Sequence, residues 1–213
     1  MSERTMSWPL GLGAGVCIHD NALDPALCEE IIQFFADRPY LQAPGQTFGG
    51  VQPETKLSTD SYVDGKRANL SPEDAEILSR MEQEVYTQYG AVLTEYIQTY
   101  PGLVYEWQNK VDTGYQYQRY DEGQGYYKPH IDGAPYSNGG AEKRVLASVL
   151  YLNTVEVGGG TRFEYLDYTC DAVVGRILTF PTTFLHLHAG LVPESSFKSI
   201  ISTFVVAGQE QVS

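Results

Sequence analysis

Three of the chain's four histidines, His130, His186 and His188, stand in its second half, and one of them opens the tripeptide His130-Ile131-Asp132. On a β-strand, residues i and i+2 project from one face, so this imidazole and this carboxylate would point together. Two groups do not complete a metal site. A third donor from a distant strand would, and two imidazoles with one carboxylate form the facial arrangement that suits non-haem Fe(II) while leaving coordination positions open. A His-x-Asp tripeptide alone arises often by chance on solvated strand faces, so its surroundings must decide. The third donor is one of two, because His186 and His188 alternate in Leu185-His186-Leu187-His188 and on a strand would share a face. His19 stands alone near the N-terminus and reads as an ordinary surface or packing residue.

The second half supplies strands to carry these groups. Short β-type runs at 115–120, 126–132, 144–153, 161–165, 173–180, 184–188 and 197–206 are separated by Gly, Asp or Asn clusters. Seven strands at this spacing suggest a sandwich or jelly roll. Gly158-Gly159-Gly160 lacks the Lys-Ser/Thr and helix of a phosphate loop, so it reads as a turn that needs positive φ.

The first half reads as helix and loop. Asp24-Pro25 is an N-cap with proline at the first helical position, followed by Leu27, Ile31, Phe34 and Phe35 at helical spacing up to Pro39. Ser71-Pro72-Glu73-Asp74 is a capping-box pattern, and Ile77, Met81, Val85, Val92 and Tyr96 mark one face of a long helix with an interruption expected at Gly90. These helices would cover one outer face of the sheet. Residues 40–70 form a Gly/Pro/Ser/Thr/Asp-rich connection that is either a functional lid or partly strand, with Gly49-Gly50 and Asp64-Gly65 as hinges.

With 213 residues, 42% hydrophobic and 19% charged, the chain can bury a sizeable core as a single domain without disulfides or metal. A metal would then be functional rather than structural. Fourteen Lys+Arg against 27 Asp+Glu give a net charge of −13, and paired basic residues occur only at Lys66-Arg67 and Lys143-Arg144, so nucleic acid is not an expected partner. The three cysteines, Cys17, Cys28 and Cys170, are odd in number and lack metal-ribbon spacing. A reducing, cytoplasmic setting is expected. The apolar stretch 8–18 is short and broken by proline and glycines, so no membrane association is expected either.

The segment Tyr120-Asp121-Glu122-Gly123-Gln124-Gly125-Tyr126-Tyr127-Lys128-Pro129-His130-Ile131-Asp132 resembles the entry to the metal site of prolyl 4-hydroxylases, which are Fe(II)/2-oxoglutarate-dependent dioxygenases. The resemblance continues through Arg144 to Tyr151-Leu152-Asn153, Gly158-Gly159-Gly160-Thr161-Arg162-Phe163, the strand Gly175-Arg176-Ile177-Leu178-Thr179-Phe180, and His188-Ala189-Gly190-Leu191-Val192-Pro193 with Lys198 ten residues after the histidine. It covers residues 115–206, less than half of the chain. It implies a double-stranded β-helix (jelly roll) of the α+β, mainly β class, with the N-terminal helices packed on the major sheet. One domain would span 1–213, with 1–114 as helical support and substrate loop and 115–206 as the metal- and cosubstrate-binding core.

The resemblance also implies roles. Fe(II) would sit on His130, Asp132 and His188, with His186 kept as the alternative distal ligand although the spacing to Lys198 favours His188. Lys198 would meet the far carboxylate of 2-oxoglutarate, since a buried anion needs a cation. Tyr120 would hydrogen-bond the cosubstrate. Tyr127 would support the pocket wall, and His186, if not a ligand, would line the substrate mouth or orient a ligand. Arg144 would serve the substrate or form a cross-strand salt bridge. With O2, and ascorbate as a further cofactor candidate, the reaction would hydroxylate an unactivated C–H bond. Because Asp132 occupies the place that halogenases leave to halide, hydroxylation is preferred. The substrate would be a prolyl residue in a peptide or protein, or else a free amino acid or other small molecule. A non-catalytic jelly-roll binding module and a zinc hydrolase are the readings from other classes.

Overall fold

Both helices begin where their capping signals stand. In the computed structural model, which describes residues 3–47, 49–62, 70–103, 110–133 and 143–207, the Asp24 side chain accepts from the Ala26 amide at 2.9 Å and starts α1 (Pro25–Ala36). Ser71 accepts from the Asp74 amide at 3.0 Å and starts α2 (Pro72–Thr99). The expected interruption at Gly90 does not occur. A helical glycine costs about 1 kcal/mol, and burial of Val85, Tyr89 and Val92 on either side outweighs it.

The described residues contain more strands than the seven anticipated. They are β1 (Thr5–Ser7), β2 (Cys17–Asp20), β3 (Ala43–Pro44), β4 (Lys56–Leu57), β5 (Thr59–Tyr62), β6 (Lys110–Asp112), β7 (Gln116–Tyr120), β8 (Tyr126–His130), β9 (Lys143–Tyr151), β10 (Thr161–Phe163), β11 (Tyr168–Cys170), β12 (Ile177–Pro181), β13 (His188–Gly190) and β14 (Lys198–Ala207). A major sheet runs β1-β2-β12-β9-β14-β7-β5-β3, with β6 also on β14, and a minor sheet runs β11-β10-β13-β8-β4. All described pairings are antiparallel. The first half thus supplies edge strands to both sheets as well as helices. These pieces of two to four residues are too short to show a period of two in sequence.

This is the expected jelly roll, mainly β with two helices on its major sheet. Alternation along the central strands separates two cores. Ile177, Leu150, Ile201 and Tyr117 face out and pack against Ile31, Phe35, Leu78, Met81, Val85 and Tyr89 of the helices. Leu178, Phe180, Ala147, Tyr151, Ile200 and Tyr120 face in and meet Phe163 and Cys170 of the minor sheet. The Gly158 and Gly159 turn has the anticipated positive φ, 74° and 70°.

Two strand boundaries move. Residues 173–176 form a turn before β12. The run 184–188 is not one strand but a 3-10 turn at Phe184–His186, after which β13 begins at His188. His19 is a packing residue, wholly buried on β2 with its ring between the Cys17 thiol at 3.6 Å and a Glu95 carboxylate oxygen at 3.3 Å. Burial pushes the Cys17 thiol up to about 12, so it is not a nucleophile near neutral pH. All three cysteines are free and buried. Among the described residues, no helix is long and apolar enough to cross a membrane. Of the hinges proposed for the connection, Gly49-Gly50 precedes β4, while Asp64-Gly65 lies outside the described residues.

Ile201 is wholly buried between the major sheet and the helices. Ile201→Ala should lower the unfolding free energy by about 2–5 kcal/mol, measured by urea denaturation, with metal binding retained in the folded fraction.

Candidate active site

Two rows of inward-facing residues cross the minor sheet. The pairings Phe163↔His188 and His188↔His130 make the first, and Thr161↔Gly190, Gly190↔Tyr127 and Tyr127↔Lys56 make the second. Between the rows β8 spends three residues, from Tyr127 to His130, where β13 spends two, from Gly190 to His188. On a regular strand, residues three apart face opposite ways. The extra residue is a bulge, and it turns Tyr127 onto the face of His130. Their rings stack with centroids 3.5 Å apart at 16°, which makes Tyr127 the expected wall of the pocket.

Beyond β8 the chain curls, so Asp132 reaches the two histidines from just past the strand end rather than from within it. Its carboxylate oxygens lie 3.6 Å from His130 Nε2 and 3.4 Å from His188 Nε2. One donor atom from each of the three residues falls within 4.8 Å of the others. His130 Nδ1 donates to the Lys128 carbonyl and His188 Nδ1 to the His186 carbonyl, both at 2.9 Å. These bonds fix the tautomers and turn both Nε2 lone pairs toward Asp132. Desolvation, helped by the neighbouring His188, pushes His130 down to about 4, so its imidazole is neutral at physiological pH. Two imidazole nitrogens and a carboxylate brought together in this way fit a divalent iron ion.

His186 does not join them. It lies in the 3-10 turn, so the alternation expected of a strand fails, and both ring nitrogens are engaged. Nε2 donates to the Ala14 carbonyl at 2.7 Å, and Nδ1 accepts from the Thr183 hydroxyl at 2.9 Å. Its ring therefore neither offers a lone pair to a metal nor orients a ligand, although its backbone carbonyl does hold His188. Arg144 places its guanidinium 3.7 Å over the Phe204 ring and reaches the Asp132 carbonyl at 3.5 Å.

Opposite the second row, β14 pairs Lys198 with Tyr120 on the inner face of the major sheet. The Lys198 ammonium lies 4.4 Å over the Tyr120 ring and bonds the Leu191 carbonyl at 3.4 Å. It is 2% exposed, and among the described residues no carboxylate pairs with it. Burial pushes it down to about 7. Gly190 makes the room, since a Cβ there would stand 3.6 Å from the ammonium. Tyr120 offers that cation its ring face, while its phenol donates to Gln118 Oε1 at 2.7 Å.

Residues 115–206 match the family model of the 2OG-Fe(II) oxygenase superfamily. The match takes in the strands that carry His130, His188 and Lys198. That family implies Fe(II), 2-oxoglutarate and O2, and His130, Asp132 and His188 offer the donors for the iron. Among solved structures, the fold is similar to the viral collagen prolyl hydroxylase of Paramecium bursaria Chlorella virus-1 in its 2-oxoglutarate complex. That likeness has a TM-score of 0.64 at 19% identity, over 92% of this chain and 98% of that one. It is similar as well to a Trichoplax adhaerens prolyl hydroxylase bound to a hypoxia inducible factor peptide fragment, with a TM-score of 0.67 at 17% identity over 91% of this chain and 84% of that one. A Pseudomonas putida prolyl-4-hydroxylase gives 0.62 at 16% identity, over 92% and 94%. A comparison with curated protein sequences finds no match.

The space between the two sheets holds further polar residues that the sequence reading passed over. Tyr151 shares a hydroxyl hydrogen bond with Thr161 at 2.7 Å, next to Gly190 in the second row. Gln116 and Gln118 face inward on β7, joined at 2.9 Å. Their alternation with Tyr120 was visible as an i, i+2 pattern. Lys56 and Asp60 form a buried ion pair at 2.7 Å, and nothing in the polar run around them separates these two charges from surface ones.

Anaerobic titration calorimetry with Fe(II) or Mn(II) checks the ligand choice. His186→Ala should keep the affinity within about threefold, and His130→Ala, Asp132→Ala or His188→Ala should weaken it by more than about 100-fold. Loss of binding in His186→Ala with retention in His188→Ala would reverse the assignment.

Proposed function

We propose that the chain, acting as one domain over residues 1–213, is a dioxygenase that hydroxylates a prolyl residue in a peptide or protein, with iron held by His130, Asp132 and His188. The observation that supports this reading is a three-donor cluster on the minor sheet and, on the facing major sheet, a buried ammonium with no carboxylate partner among the described residues. Lys198 receives the far carboxylate of 2-oxoglutarate, because that anion supplies the charge the ammonium lacks. The Tyr120 ring holds the ammonium in place, and its phenol, paired with Gln118, stands as the hydroxyl on the cosubstrate side.

When bound, the iron and its cosubstrate supply the oxidising chemistry, with one oxygen atom leaving in succinate beside carbon dioxide and the other entering the substrate C–H bond. The chain's own residues bind, orient and exclude water. His130 and His188 keep Nε2 free by donating Nδ1 to backbone carbonyls. Phe163 and Phe180 pack tilted and edge-on, respectively, against His188 and keep that side dry. Arg144 fastens the backbone of Asp132.

A prolyl substrate accords with the rim. Ile131 stands 46% exposed between two of the site residues, with Phe184 and Leu185 at 71% and 51% on the turn leading to His188. The two segments touch, since a Cβ on Gly133 would meet the Thr182 carbonyl at 2.6 Å. An apolar lip of this kind suits an uncharged, proline-containing segment better than a zwitterionic amino acid. The Trichoplax relative's bound peptide supports the same reading.

The deciding assay follows succinate formation from 2-oxoglutarate with proline-containing peptides and, separately, with free amino acids. Stimulation by the peptides, with a mass gain of one oxygen, is expected. Stimulation by free amino acids alone overturns the peptide reading. Absence of any 2-oxoglutarate-dependent visible band on anaerobic Fe(II) addition returns the chain to the binding-module class.

Lys198 gives a pH signature. Its ammonium is depressed to about 7 in the free protein, and binding of a dianion requires the charged form. Cosubstrate affinity should hold steady below that pH and fall by up to about tenfold per unit above it, with uptake of one proton on binding. Calorimetry in buffers of different ionisation enthalpy reads the uptake. Lys198→Arg should flatten the pH dependence, and Lys198→Met should abolish both the uptake and tight binding.

A further inference from the structure

The chain passes from the minor to the major sheet in one residue. Lys56 and Leu57 of β4 pair with β8, Thr59 to Tyr62 of β5 pair with β7, and Ser58 alone joins them. The Lys56–Asp60 pair spans the same step, with side chains 2% and 7% exposed and 2.7 Å between Nζ and Oδ2. Asp60 also accepts from the Ser58 hydroxyl at 2.8 Å and from Gln116 Nε2 at 3.4 Å. Both charges face inward. Lys56 lies opposite Tyr127 in the second row, and Asp60 lies opposite Gln118 on the inner face of the major sheet.

From this pair two lines of contact run into the cavity. On one side the Lys56 ammonium stands 5.4 Å from the Tyr127 ring centroid, and that ring stacks on the His130 imidazole. On the other, Asp60 is bonded by Gln116, whose Oε1 accepts from Gln118 at 2.9 Å. Gln118 in turn accepts from Tyr120, whose ring carries the Lys198 ammonium. A salt bridge serving stability alone gains nothing from such a place, because burying two charges seldom stabilises more than an apolar pair of equal volume would.

Resting on the dioxygenase reading, we propose that Lys56 and Asp60 are positioning residues, a clasp between the two sheets that sets His130 through Tyr127 and the cosubstrate end through Gln116, Gln118 and Tyr120. Neither touches the reacting atoms. Lys56 fixes the ring that walls the metal group, and Asp60 fixes the amide chain behind the second cation. The clasp makes the geometry of the metal and of the anion ends depend on one contact.

The test replaces the pair by an apolar one of similar volume, Lys56→Met with Asp60→Leu, in the full chain. The double variant should melt at or above the wild-type temperature and yet bind Fe(II), and 2-oxoglutarate in the Mn(II)-loaded protein, at least about tenfold more weakly. Lys56→Arg, which keeps the charge and the bond, should stay within about threefold. Should the double variant fail to fold, Lys56→Gln, which keeps a donor for Asp60 but removes the ammonium from Tyr127, should still show the loss of Fe(II) affinity. A folded double variant, or a folded Lys56→Gln, with wild-type metal and cosubstrate affinities would overturn the proposal. Wild-type protein that turns over no 2-oxoglutarate would overturn the dioxygenase reading instead, while the metal titrations of wild type against variants would still judge the clasp.

Discussion

An ammonium group held 2% exposed between two β-sheets, with one carbonyl and an aromatic face as its contacts, is the constraint around which the rest of the core is arranged. An uncompensated buried ion opposes folding by several kcal/mol, and the usual escape is neutralisation, which is why Lys198 is pushed toward neutral pH. The fold tolerates it because β14 is the best-paired strand of the major sheet, bonded along its length to β9, β7 and β6. On the proposed reading, burying the cation ahead of its anion would keep the site ready for a dicarboxylate, whose arrival would relieve the desolvation cost.

The facing sheet answers with two rows whose spacing is set by a single inserted residue. Were β8 regular, Tyr127 would turn outward, His130 would lose its stacking partner, and the gap at Gly190 would open onto solvent rather than onto an aromatic wall. The bulge thus sets the row of His130 and His188 beside the row of Tyr127 and Gly190, where a Cβ on Gly190 would face the Lys198 ammonium. The imidazoles keep their protons on Nδ1, and the hydroxyl and amide groups of Tyr151, Thr161, Gln116 and Gln118 are paired among themselves.

Much of this was legible in the sequence for a definite reason. His130, Asp132, His188 and Lys198 are polar residues at fixed spacing along the chain, and the caps at Asp24 and Ser71 are local chemistry that needs no tertiary context. What was not legible depends on pairing between distant segments. The strand reading of 184–188 failed because Thr183, Ala14 and His186 form a tertiary hydrogen-bond set that a 3-10 turn satisfies and a strand would break. The sequence left β4 and β5 undecided between lid and strand because their partners, β8 and β7, lie more than 50 residues further on. The bulge in β8 has no signature of its own apart from Pro129, which cannot donate to a ladder.

The two faces of the major sheet divide the work. On the outer face Tyr117, Leu150, Ile177 and Ile201 meet the helices in an apolar core, and its hydroxyls, Ser148, Thr179 and Tyr89, are bonded to one another. On the inner face stand Lys198, Tyr120, Gln116, Gln118 and Asp60, groups that an evolution for stability alone would have exchanged for leucine. Because residues of the two faces alternate along the same strands, each function-bearing side chain is anchored by neighbours one position away that are buried in the helix-packed layer. The helices therefore do more than cover a sheet. They make the backbone of β7, β9, β12 and β14 stiff enough to hold charged groups where the chemistry needs them, and this links the 28-residue α2, which touches none of the site residues described above, to the precision of the site.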